Sequence, residues 1–76
     1  MNNIEAERAR RNFTKEEISK LLGITSKTYL GYTRGKPIPS TILVKMSKLF
    51  NCTVDYLLGI NDYAEKNQII KGEQNE

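Results

Sequence analysis

The stretch Thr14–Gly35, TKEEISKLLGITSKTYLGYTRG, constrains this chain more than any other. It reads as helix, tight glycine turn, helix. Thr14 and Glu17 have the spacing of a capping box, in which each side chain satisfies the other residue's free backbone N–H. Ile18, Leu21 and Leu22 follow on one helical face. Gly23 supplies the left-handed conformation that ends a helix, and Ile24 after it is of a buried type. Thr25 or Ser26 caps the second helix. Two short helices joined in this way make a helix-turn-helix, a unit whose second helix can enter the major groove of DNA.

The chain has 76 residues, enough for one small domain. A domain of this size buries only roughly 60% of the surface its unfolded chain exposes and has no room for a deep catalytic cavity. No apolar run approaches the length of a transmembrane span. The opening MNNIEAERARR lacks the apolar core of a signal peptide. The single cysteine, Cys52, has no partner for an internal disulfide, which suits a reducing compartment. The expected location is the cytoplasm.

Charge is distributed unevenly. Residues 1–50 hold ten Lys/Arg against four Asp/Glu, a net +6, whereas residues 51–76 hold two against five, a net −3. Basic charge thus coincides with the helix-turn-helix. That points to a polyanionic partner, although a solvated basic face gives the same pattern.

The rest of the chain reads as further short helices, with no strand signal. Helix 1 is expected from about Asn3 to Arg11, capped by Asn2 or Asn3. Its apolar positions are Ile4, Ala6 and Ala9, with Phe13 just beyond, and its arginines complement the helix dipole. Helix 2 is expected over Lys15–Leu22 and helix 3 over Ser26–Arg34, closed by Gly35. Pro37 and Pro39 make an extended connector. Ser40 is read as the cap of helix 4, which carries Ile42, Leu43, Met46, Leu49 and Phe50 at helical spacing and ends at Asn51. Thr53 caps a last short helix, Val54–Leu58, followed by Gly59. The organisation is therefore a helix-turn-helix domain over 1–59 and a polar tail over 60–76. In that tail Asp62 can cap a sixth helix bearing Tyr63, Ile69 and Ile70 before a disordered end.

On helix 3, Ile24, Tyr29 and Tyr32 face inward, their spacing matching a core face better than a base-stacking one. The opposite side presents Ser26, Lys27, Leu30 and Gly31. Lys27 can donate to guanine O6 or N7, Ser26 to several bases, and Leu30 can meet a thymine methyl group. Gly31 either lets the DNA backbone approach or relieves crowding between helices. Lys15, beside the free N–H groups of a helix N-terminus, suits a phosphate. Arg34 and Lys36, flanking Gly35, suit phosphates on the other side. Such contacts position a protein without reading sequence.

Four pieces of the sequence together resemble the Cro/CI-like (Xre-type) helix-turn-helix transcriptional regulators. They are Arg8, Thr14-Lys15-Glu16-Glu17-Ile18, Leu21-Leu22-Gly23-Ile24-Thr25 and Val54-Asp55-Tyr56-Leu57-Leu58-Gly59. The resemblance spans residues 4 to 59. It implies an all-α, compact five-helix, lambda-repressor-like fold that binds operator DNA, commonly as a homodimer on a two-fold-symmetric site. It also implies base-facing positions for Ser26, Lys27, Leu30 and Gly31, and phosphate-contacting ones for Lys15 and Arg34. Thr25 and Lys36 complete the phosphate set. Family members often carry Gln at the position of Lys15. They often carry Glu at that of Thr33, pairing with the helix 1 arginine, so here Arg8 needs another partner, Glu5 or Glu7.

The function expected from these residues is sequence-specific binding of double-stranded DNA, with repression by operator occupancy. The dimer surface is expected at helix 5 and the tail, from Tyr56, Ile60, Tyr63, Ile69 and Ile70. The alternative is a protein-interaction module, such as an antitoxin-like or adaptor domain with an acidic tail. Catalysis is not expected: the chain has no histidine, and its carboxylates sit at caps and helix ends. Neither a cofactor nor a metal is implied, since Cys52 alone makes no metal site.

Overall fold

A computed structural model describes residues 2–60. Those residues form five helices and no strand: α1 (Ile4–Arg10), α2 (Lys15–Leu22), α3 (Ser26–Thr33), α4 (Ser40–Phe50) and α5 (Val54–Leu58). The expected tail helix with Tyr63, Ile69 and Ile70 lies outside the described residues.

Local chemistry accounts for most helix ends. Thr14 accepts from the Glu17 N–H while the Glu17 carboxylate accepts from the Thr14 N–H, a complete capping box. Of the two candidates at the next helix it is Thr25 that caps, accepting from the Thr28 N–H. Thr53 caps α5 through the Tyr56 N–H. Gly23 stops α2 and Asn51 stops α4, both in the left-handed conformation.

Two expectations require correction, and the inner face of α1 is not the one its apolar residues mark. Ser40 is the first residue of α4 rather than its cap; the cap is Pro39, whose carbonyl accepts from both the Ile42 and Leu43 N–H groups. Leu21 is 51% exposed, because the inner face of α2 passes through Ile18, Ser19 and Leu22. Ser19 tolerates burial by donating its hydroxyl to the Lys15 carbonyl at 2.7 Å. On α1, Ala6 and Ala9 are exposed and the inward residues are Ile4 and Glu7. The Glu7 carboxylate, 2% exposed, accepts from the Tyr56 hydroxyl at 2.9 Å and faces the Arg10 and Arg11 guanidiniums at 3.5 Å each. A buried charge persists only when partnered in this way.

The core draws on every helix: Ile4, Ile18, Leu22, Tyr29, Met46, Phe50 and Leu57. Phe13, from the α1–α2 connection, leans on Phe50 with ring centroids 6.3 Å apart. The chain start is tied across this core. Asn3 donates from its backbone to the Leu57 carbonyl (2.8 Å) and from its side chain to the Tyr56 carbonyl (2.6 Å). Asn2 donates from its amide to the Tyr32 carbonyl at 3.0 Å. The two asparagines thus clamp the start of α1 to the ends of α3 and α5.

Candidate nucleic-acid interface

The fold fixes α3 from the inside and leaves one face outward. Tyr29 is fully buried. Its hydroxyl donates to the Glu5 carboxylate, which is also held by Arg8 through two bonds of 2.9 and 3.0 Å. Arg8 donates further to the Phe13 carbonyl at 2.6 Å. Of its two candidate partners, then, Arg8 takes Glu5. The hydrogen bonds from Arg8 hold the Glu5 carboxyl below the usual carboxylate range. Burial, reinforced by the Glu5 carboxylate, pushes the Tyr29 phenol well above its ordinary value. A partly buried ionic hydrogen-bond chain therefore locks α3 to α1.

At about 100° per residue, the positions two before and two after Tyr29 point away from the core. Those are Lys27, which is exposed, and Gly31. Thr28, also exposed, stands beside them, and its hydroxyl oxygen accepts from that of Thr25 at 3.0 Å. Spacing from the sequence leaves Thr28 off this face, although its place directly after Lys27 is a signal for it. The expected base-facing set divides accordingly. Lys27 and Gly31 occupy the centre of the outward face and Ser26 is half-buried on its flank. Leu30 is half-buried and packs against the core with Ile24 and Tyr32, which draws its side chain towards the protein.

The four expected phosphate-contacting residues, Lys15, Thr25, Arg34 and Lys36, are all exposed. Lys15 opens α2 and Thr25 caps α3. The first turn of α3 has no acidic residue, so nothing there opposes the positive end of the helix dipole. Arg34 and Lys36 follow the opposite end of α3. The Arg34 N–H bonds to the Leu30 and Gly31 carbonyls and the Lys36 N–H to the Gly31 carbonyl at 3.1 Å. The result is an outward helix face with Arg34 and Lys36 exposed just past its C-terminal end and Lys15 exposed at the start of the preceding helix.

A family model described as helix-turn-helix matches residues 4–57, from the start of α1 into α5. The chain belongs to the Cro/CI (Xre) type of helix-turn-helix family. It is similar to the HTH-type transcriptional regulator ImmR of Bacillus subtilis (strain 168), with 34% identity over 62 residues, 80% of this chain and 49% of that protein. It is also similar to the uncharacterized HTH-type transcriptional regulator YobD of the same organism, with 36% identity over 50 residues, 64% of this chain and 45% of that protein. The chain thus spans about half the length of these curated relatives. No solved structure matches it. The five-helix arrangement agrees with the lambda-repressor-like fold of this family, a family of DNA-binding transcription regulators rather than of enzymes. Among the described residues, no helix is long and apolar enough to cross a membrane.

Proposed function

We propose that this protein is a sequence-specific double-stranded DNA-binding transcriptional repressor that acts by occupying its operator. The observation that carries this reading is the outward face of α3. Lys27, Thr28 and Gly31 are turned away from a core that grips the same helix through Tyr29, with Lys15 at the start of α2 and Arg34 just past α3 also exposed. A helix presented in this way can lie in the major groove while cations at its margins meet the phosphates of both strands. The names of the similar Bacillus proteins, both transcriptional regulators, agree with this role.

The DNA-binding unit is residues 1–59, with 60–76 as a separate polar tail. A single domain of this size makes few phosphate contacts, so the protein binds as a homodimer on a two-fold-symmetric operator. The half-sites then lie about one helical turn, ~34 Å, apart. Ile60, an exposed isoleucine just past α5, supplies apolar surface for that pairing; Tyr63, Ile69 and Ile70 lie outside the described residues. A repressor of this kind works in the cytoplasm, where its DNA is.

Selection of bound sequences from a random duplex pool tests the whole reading. A two-fold-symmetric motif with a steep salt dependence of affinity is expected. Absence of any enriched sequence, together with a salt slope near zero, leaves the protein-interaction alternative instead.

A further inference from the structure

Gly31 stands at the centre of the outward face of α3, one turn beyond Lys27, where a reading side chain belongs. Glycine there costs roughly 1 kcal/mol relative to alanine. The vacancy is filled from elsewhere in the chain. A Cβ built on Gly31 would lie 3.1 Å from Lys36 Cδ and 3.8 Å from both Cγ and Cε. Three consecutive methylenes of the Lys36 stem therefore run over Gly31. The root of that stem is fixed by the bond from the Lys36 N–H to the Gly31 carbonyl. Lys36 and Gly31 line one open hollow of about 440 Å³ with Lys27, Thr28, Tyr32 and Pro37.

The geometry points to Lys36 as a base-reading residue that the α3–α4 connection lends to the recognition helix across Gly31. Lys36 then acts beside Lys27 rather than as a phosphate clamp at the margin. The stem lies on the side of α3 that faces away from Tyr29, so its ammonium is carried along the face that meets the groove. A lysine placed there donates to acceptors on base edges, guanine O6 and N7 above all. Glycine leaves this space to the stem, and a side chain larger than alanine's would compete for it. Stems of this kind cover apolar surface while their charge stays in water. This assignment rests on the proposed entry of α3 into the major groove.

The test is selection from a random duplex pool with the wild-type protein and with Lys36→Met, which keeps an unbranched stem over Gly31 and removes the charge. Thermal melting of both confirms that the variant is folded. The expected result is one motif in common, with a single base pair at which Lys36→Met has lost about a 5- to 150-fold preference. An unchanged motif, with Lys36→Met weakened by the same factor on every duplex, would overturn the assignment and return Lys36 to the phosphates. If wild type itself selects no motif, the groove reading of α3 falls and takes this assignment with it.

Discussion

The Tyr29 hydroxyl, from the middle of α3, donates to the Glu5 carboxylate of α1. Arg8 grips the same carboxylate through both of its oxygens. The orientation of α3 about its own axis is therefore set by an ionic hydrogen bond as well as by apolar packing, and the outward placement of Lys27 depends on it. Removing the hydroxyl in Tyr29→Phe keeps the ring in the core and deletes the bond. A hydrogen bond to a charged partner contributes on the order of 1.5–3 kcal/mol. A loss at the lower end of that range is expected because Arg8 still satisfies Glu5. Urea unfolding followed by circular dichroism measures it, and an unchanged midpoint would show that the bond adds nothing.

The same carboxylate makes stability depend on pH. Its hydrogen bonds from Arg8 lower the Glu5 pKa below its ordinary value of 4.5. A group whose pKa is depressed by folding stabilises the folded state above its unfolded pKa, and that contribution is lost as pH falls through the folded value. Wild type is therefore expected to be more stable than Glu5→Gln at neutral pH, with the difference shrinking as pH drops below about 4.5. Unfolding midpoints of the two proteins between neutral pH and about pH 3 check this; a constant difference across that range contradicts it.

Gly31 offers a separable prediction about the helix itself. In Gly31→Ala the new methyl group meets the Lys36 stem first, at 3.1 Å from its Cδ, and a flexible side chain moves the few tenths of an ångström required. Alanine is favoured over glycine inside a helix by roughly 0.5–1 kcal/mol. The melting temperature is expected to rise. At Gly23 the surrounding space is open but φ is +74°, and the left-handed conformation costs an L-residue roughly 1–2 kcal/mol. Gly23→Ala is therefore expected to lower the melting temperature. The opposite signs at two glycines of one helix-turn-helix separate conformational strain from steric space.

What was legible in the sequence was whatever adjacent residues decide. Thr14 with Glu17, Gly23, Asn51, Thr53 and Gly59 each act through backbone groups a few residues away, and each lies where its spacing places it. The inner faces of α1 and α2 have a different cause. Glu7 faces inward because Tyr56, 49 residues later, supplies a hydroxyl; residue type alone favours Ala6 and Ala9 for that position. Leu21 has the character of a core residue, but Ser19 takes the inner position by bonding to its own helix backbone. The Lys36 stem over Gly31 is likewise a tertiary relationship, invisible to spacing although only five residues separate the two. Sequence thus located the outward helix and its cations, while the division of Lys27 and Gly31 from Leu30 depended on how α3 rolls against the core.

The roles proposed for Lys27 and Lys15 differ in kind, and DNA binding distinguishes them. Lys27 sits at the centre of the outward face, whereas Lys15 sits at the first position of α2, where a helix N-terminus attracts phosphate. Lys27→Ala is expected to weaken binding to the selected operator by about 1–3 kcal/mol and to relax one base position. Lys15→Ala is expected to weaken binding to every duplex alike, and to reduce the slope of log K against log salt by about one. Fluorescence anisotropy on the selected operator and on a scrambled duplex, at several salt concentrations, resolves both effects. Both lysines are exposed, so neither substitution disturbs the core and any change reports on the interface. Should the scrambled duplex and the operator lose affinity equally in Lys27→Ala, Lys27 meets only phosphate, and direct readout must come from other residues on the α3 face.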